Sequence, residues 1–359
     1  YEVQPVNIND LLNRDEVKLN NQAIHDLIKD EVVLVTGGGG SIGSELVRQI
    51  AEMNPQKLII YDIYENNAYD VQTSLMHQFQ KQGRNLPLIV LIGSVYNEFR
   101  LKTVFESYKP TLVFHAAAYK HVPLMEESPV EAIRTNVLGT HIVAKLSNEF
   151  NVKKMILVSS DKAVRPTNVM GATKRMAERI IQTAQKASNS TVYAAVRFGN
   201  VLGSNGSVIP LFKRQIEAGG PVTVTDKEVT RYFMTIPESV SLILEAATFA
   251  KDGEIFVLDM GEPVKIVDLA EKMIQLTGLK PYKDINIEFV GLRKGEKQFE
   301  ELILDESMPQ THNPKIFIDP TKQALDKDWF KSFQSLDELT EESVINYLRQ
   351  QDLNYHPKT

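Results

Sequence analysis

The sequence predicts an α/β chain, a doubly wound parallel sheet followed by a smaller C-terminal lobe. Three observations predict it. Short β-branched runs alternate with helical spacings from residue 31 to about 200, the runs are apolar throughout, and a glycine-rich loop joins the first run to the first helix. The runs stand at Val32–Thr36, Lys57–Asp62, Leu88–Ile92, Thr111–His115, Met155–Ser159 and Val192–Phe198. Strands without polar alternation are buried on both faces, which requires helices on each side of the sheet. Those helices include Ile42–Glu52 and Met170–Lys186. The second sets Ala172, Ala177, Ile180, Ile181 and Ala184 in one stripe and leaves Arg175, Glu178 and Arg179 largely off it.

After Phe198 the rhythm breaks. RFGNVLGSNGSVIPLF mixes Gly, Ser and Asn with apolar residues and reads as a loop that meets a ligand. Strand-like and helical pieces follow at Val222–Thr225, Pro237–Ala250, Glu254–Leu258, Val264–Leu276 and Ile285–Val290. The expected division is an N-terminal arm or linker (1–30), a dinucleotide-binding domain (31–200), a lobe with segments returning to the first sheet (201–320) and a helical tail (321–359). Ser335–Glu338 fits a capping box ahead of a final helix.

Composition narrows the function. Among 359 residues, 40 Lys+Arg face 46 Asp+Glu for a net charge of −6, with no basic run longer than two, so nucleic acid is excluded as a partner. Cysteine is absent and the 7 histidines lack metal-ligand spacing, so no metal site is expected. No stretch reaches the ~20 apolar residues of a bilayer crossing and no signal peptide is present, which points to a soluble, cytoplasmic chain. The chain begins at Tyr1 without Met, reading either as part of something longer or as a trimmed tag.

VVLVTGGGGSIGSEL carries the first site. Gly37, Gly40 and Gly43 lie between an apolar strand and an amphipathic helix whose first residues include Ser41 and Ile42. Backbone without Cβ can approach a pyrophosphate, and a helix N-terminus offers free N–H groups. Asp62, 19 residues beyond Gly43, closes the strand KLIIYD. Its carboxylate can accept from both ribose hydroxyls and would repel a 2′-phosphate, so NAD is expected in preference to NADP. Ser94 and Val95 in LIGSV, Ala116 and Ala117 after the fourth strand, and Lys174 complete the expected cofactor contacts.

The TGxxGxxG spacing is followed, in order, by HAAAYKHVP, TNVLGT (with Asn136), SSDKAVRPTNVMGATKR, RFGNVLGSNGSVIP, VTRYFMTIPESV and GLRKGEKQFEEL. Together these resemble the UDP-N-acetylglucosamine 4,6-dehydratases of bacterial polysaccharide and glycan biosynthesis, over roughly Val6 to Ile318. This is the nucleotide-sugar branch of the extended short-chain dehydrogenase/reductases. The resemblance implies a Rossmann domain with tightly bound NAD. The sugar C4 hydroxyl is oxidised, water leaves across C5–C6, and a hydride returns to C6. It makes Asp161 the acid at the departing hydroxyl and Lys162 the base at C5, and sets Lys174 on the nicotinamide ribose. A base must be neutral, and free Lys titrates near ~10.4. Lys174 and the nicotinamide ring are expected nearby, lowering the Lys162 pKa.

Met170 stands where these reductases present a Tyr, four residues before Lys174. A thioether cannot accept the O4 proton, which leaves Asp161, a water held by Ser160, or Lys174 acting through water. Met here also resembles the membrane-associated subgroup, which implies retained configuration at C5 and transmembrane helices ahead of Tyr1 in a full-length form held at the cytoplasmic face of the inner membrane. By the same resemblance Asn200, Arg231 and Arg293 hold the diphosphate, Val208, Pro210 and Phe212 pack on uracil, and Glu296 reaches the ribose. Lys120 and His121 could line the sugar pocket, and a homo-oligomer is expected. A UDP-hexose 4-epimerase shares fold and cofactor but has no use for the Asp161–Lys162 pair. A non-catalytic nucleotide-sugar-binding module would account for the missing Tyr.

Overall fold

The computed structural model describes residues 11, 21–302, 307–326, 328–333 and 338–357. Six parallel strands lead the chain: β1 (Val32–Thr36), β2 (Lys57–Asp62), β3 (Leu88–Ile92), β4 (Leu112–His115), β5 (Lys154–Val158) and β6 (Val192–Arg197). Two later strands join them, Glu254–Leu258 parallel to β6 and Ile316–Asp319 antiparallel at the edge. The order is Ile316–Asp319, Glu254–Leu258, β6, β5, β4, β1, β2, β3. It is a Rossmann-like sheet, and its order reverses between β1 and β4, where a crevice opens at the carboxyl ends of the strands.

Alternation along each strand divides the core. Val33 and Val35 join an apolar cluster on one face with Leu46, Ile50 and Ile243. Leu34, Ile59 and Tyr61 join a second on the other face with Val143, Ile180 and Ile181. A third cluster, around Phe212, Ile216, Val222, Met273 and Ile287, forms the C-terminal lobe. Strand and helix limits match the sequence reading to within about a residue, apart from Ile285–Val290, which shortens to the strand Ile287–Phe289, and Val264–Leu276. That segment divides into a short strand, Val264–Lys265, paired with Thr230–Arg231, and the helix Ile266–Leu276.

The helix Val169–Ala187 departs from expectation. Arg175 and Glu178 are buried, not solvent-facing. Later segments cover the face that the sequence left open: Arg175 donates to Gln323 Oε1 (2.8 Å) and Gln182 to the Thr321 carbonyl (3.1 Å). Inside lies an ionic cluster. Glu178 pairs with Arg175 (3.2 Å) and Arg197 (2.9 Å), and Arg197 also pairs with Asp319 (3.1 Å), joining helix, β6 and the edge strand.

The final helix, Glu341–Gln350, is capped by Thr340 and Ser343 in a reciprocal box. The expected cap at Ser335 lies outside the described residues, as does most of 1–20. Among the described residues no helix is long and apolar enough to cross a membrane.

Candidate active site

At the end of β1 the chain turns at Gly37, whose φ of +67° suits a residue without Cβ. A Cβ on Gly37 would lie 2.6 Å from the Ala117 nitrogen, and one on Gly43 only 1.9 Å from the Gly37 carbonyl oxygen. The loop thus packs backbone on backbone, and the helix Ser41–Ala51 begins without a side-chain cap, its first residues Ser41, Ile42 and Gly43 lining the crevice. Beneath it, the buried His115 ring bridges Thr36 (2.6 Å) and Thr140 (3.0 Å). Burial, with Lys174 adding to it, holds this imidazole down at about 3, so it stays neutral. A Gly43→Ala variant is expected to bind dinucleotide at least about tenfold more weakly, or ~1.4 kcal/mol. Calorimetric titration with NAD checks this, and an unchanged affinity would remove the loop from the site.

The crevice encloses about 500 Å³. All eleven expected cofactor residues line it: Gly37, Gly40, Ser41, Ile42, Gly43, Asp62, Ser94, Val95, Ala116, Ala117 and Lys174. Asp62 is fixed by the N–H groups of Gly39 and Tyr64, both at 2.8 Å. The GSNGS loop reaches over, with Asn205 N–H donating to Ser41 Oγ (3.2 Å) and Gly206 lying against the His121 ring. These features fit a dinucleotide: a Cβ-free cradle, open helix N–H groups and a fixed carboxylate one strand away.

Ser160, Lys162, Met170 and Lys174 line the deeper part of the same crevice. Ser160 caps a short 3₁₀ turn at the end of β5, Asp161–Ala163. Lys162 Nζ lies 3.2 Å from both Asp161 Oδ1 and Asn200 Oδ1. Asp161 is fully buried and is not itself part of the crevice wall. The Ser160 hydroxyl stands between, donating to Asp161 Oδ1 at 3.0 Å, while Asp161 Oδ2 has no partner. Lys174 donates to the Val158 carbonyl at 3.0 Å, and burial, partly offset by Glu178, brings its ammonium down to about 8.

The electrostatics correct one expectation. Burial disfavours the Lys162 ammonium, but Asp161 and Glu300 outweigh it and raise its pKa above the ordinary lysine value instead of lowering it. The opposing cation is Arg231, not Lys174. Glu300, 3.8 Å from Lys162, was missed at the sequence level although GLRKGEKQFEEL was singled out. Asn136 was quoted without a role. It accepts from the Tyr119 N–H (2.9 Å), donates to the Tyr119 carbonyl (3.0 Å) and to Thr173 (3.0 Å), and so holds the crevice loop to the helix Val169–Ala187.

Of the expected substrate contacts, Lys120, His121 and Asn200 line the crevice. The others do not. Phe212 is fully buried in the C-terminal lobe core, so its ring packs on Ile216 and its neighbours and not on an open pocket, while Val208 and Pro210 begin the same helix half-buried. Arg231 and Glu296 are ion-paired with each other at 3.1 Å. Arg293 is exposed, close enough to His121 to disfavour its charged form together with burial and Lys120. Among the described residues no group of three or more His, Asp or Glu could hold a metal ion.

Similarity to known proteins follows the same lines. The chain is 52% identical over 316 residues to the capsular polysaccharide biosynthesis protein CapD of Staphylococcus aureus, covering 88% of this chain and 52% of that protein. It is 49% identical over 329 residues to a probable polysaccharide biosynthesis protein, EpsC, of Bacillus subtilis, covering 91% and 54%. The chain therefore spans about half the length of these relatives. A solved structure, Pen from Bacillus thuringiensis, is 38% identical with a TM-score of 0.72, covering 83% of this chain and 91% of that one. A dTDP-glucose 4,6-dehydratase from Streptomyces venezuelae, solved with NAD bound, shares the fold at 21% identity and a TM-score of 0.64, covering 75% and 87%. With the family described as polysaccharide biosynthesis protein matching residues 33–321, the chain belongs to that family.

Proposed function

We propose that the chain is the catalytic portion of an NAD-dependent UDP-N-acetylglucosamine 4,6-dehydratase, making UDP-2-acetamido-2,6-dideoxy-hexos-4-ulose for polysaccharide or glycan synthesis. The observation that carries this is the Asp161–Lys162 pair, 3.2 Å apart, its carboxylate fully buried and its amine on the wall of a dinucleotide crevice. Neither an epimerase nor a sensor has a use for it. The full-length form is a homo-oligomer held at the cytoplasmic face of a membrane.

When bound, NAD supplies a reversible two-electron oxidant for C4 of the sugar. A ketone at C4 acidifies the C5 hydrogen. The Lys162 amine then takes the C5 proton, the C6–O bond breaks as C5=C6 forms, and the Asp161 carboxylic acid supplies the proton that turns hydroxide into water. Ser160, bonded to Asp161 and lining the crevice, is the path by which that proton reaches the leaving group. The reactive state needs no external proton. The ion pair and the neutral acid–amine pair differ only in where one proton sits along the Asp161–Lys162 hydrogen bond, so a raised Lys162 pKa does not prevent base catalysis. Met170 cannot receive the O4 proton. Lys174, at about 8, is close to half neutral at mildly alkaline pH and stands on the same helix four residues on.

Incubation with UDP-N-acetylglucosamine in deuterated water tests the reading. The expected product is a 4-keto-6-deoxy sugar with one solvent deuterium at C5, its configuration there retained. An isomer of unchanged mass would make the chain an epimerase, and unreacted substrate would make it a binding module.

A further inference from the structure

Glu300 has no part in the chemistry above, yet its position is unusual. Its side chain is 3% exposed, with Oε1 3.8 Å from Lys162 Nζ. Oε2 has no hydrogen-bond partner and lies 3.9 Å from Lys297 Nζ, which is itself committed to the Val164 carbonyl at 2.9 Å. A buried carboxyl with one oxygen unsatisfied is costly, and more so when charged. The charged groups facing Glu300 are Lys162 and Asp161 from the turn after β5, Arg231 from the strand Thr230–Arg231, and Lys297 from its own segment. Arg231 is occupied by Glu296 and by the carbonyls of Thr230, Lys297 and Gln298. Lys162 is therefore the cation that Glu300 is free to serve.

We infer that Glu300 is a positioning residue for Lys162: its buried carboxylate holds the amine at the crevice wall and stabilises the ammonium formed when Lys162 takes the C5 proton. The inference rests on the dehydratase reading for its catalytic half. As elimination proceeds, Asp161 gains a negative charge and Lys162 a positive one, while Glu300 gains and loses no proton. Burial raises the Glu300 pKa and Lys162 draws it back more strongly than Asp161 opposes, so in its charged form, with Lys162 3.8 Å away, Glu300 favours the charge-separated state. Without it Asp161 alone would have to balance the new cation.

Glu300→Gln keeps the shape and removes the charge, and Glu300→Asp keeps the charge on a shorter stem. Both are studied as folded holoprotein, checked by thermal melting. With 13C-labelled lysine, the Lys162 side-chain signal is assigned by its absence from a Lys162→Met variant. In Glu300→Gln it is expected to titrate about 1 pH unit lower than in the unaltered protein, because an opposite charge ~4 Å away is gone. Dehydration kcat is expected to fall about tenfold with KM for the sugar nucleotide unchanged, the equivalent of that change in pKa. Glu300→Asp should recover part of both. An unchanged Lys162 titration overturns the inference, and so does an altered titration with kcat intact. If the unaltered protein releases no water from the sugar, the dehydratase reading falls, and the titration still decides whether Glu300 stabilises the Lys162 ammonium.

Discussion

A Lys162→Met variant is expected to lose about 10²–10⁴-fold in dehydration turnover while still binding NAD, the range for removing a positioned general base. Methionine fills much the same volume but can neither accept the C5 proton nor carry a charge. The second consequence is electrostatic. Asp161 and Glu300 would lose the cation they share, and burial, no longer offset by Lys162, would make the Glu300 carboxyl hold its proton more tightly. C5 would have no positioned base, so turnover and deuterium entry at C5 should fall together by that factor. Mass spectrometry of the product in deuterated water, with NAD affinity measured on the same sample, makes the comparison. Turnover at the unaltered rate would remove Lys162 from the reaction and leave the dinucleotide crevice intact.

Arg197→Ala should be the most damaging change away from the crevice, costing about 3–5 kcal/mol, because removing one partner of a buried pair leaves the others uncompensated. Arg197 is fully buried between Glu178 and Asp319, so its loss leaves Asp319 without a cation and Glu178 with Arg175 alone, and removes the link from β6 to the edge strand. The midpoint of thermal unfolding should fall by roughly 5–10 °C. The effect depends on pH, with a definite sign. Burial pushes the Asp319 carboxyl up, but the Thr321 N–H and Arg197 outweigh it and hold it below the usual carboxylate range. Its contribution is complete above the unfolded value of about 3.9 and is lost as pH falls through the lower folded value. Urea unfolding should therefore separate the two proteins widely at pH 7 and less at strongly acidic pH. An equal difference at both would show that Asp319 takes no part.

The two variants divide what was legible from what was not. The strand β5, the turn after it and the adjacent Asp161–Lys162 could be read directly, because neighbours in sequence share one local conformation. The glycine loop and Asp62 were legible for a similar reason: a turn without Cβ and a strand-end carboxylate are short-range requirements of a dinucleotide fold. The Arg175–Glu178–Arg197–Asp319 cluster was not. Helical spacing can say which face of Val169–Ala187 meets the sheet, but not that a segment near residue 320 returns to cover the other face.

By itself, then, the sequence determined the six leading strands, the cradle for a dinucleotide and the adjacent Asp161 and Lys162, though not that β3 would lie half-exposed at the sheet edge or that Ile316–Asp319 would form the opposite edge. The tertiary structure alone decided which charges stand within a few ångströms of Asp161 and Lys162. It set Glu300 beside Lys162, raised the lysine pKa where a neighbouring cation was expected to lower it, placed Ser160 between Asp161 and the crevice, and turned Phe212 into the lobe core. The reason is physical. Secondary structure follows from local pattern, whereas Coulomb interaction and desolvation depend on distance and burial, which exist only once distant parts of the chain have met.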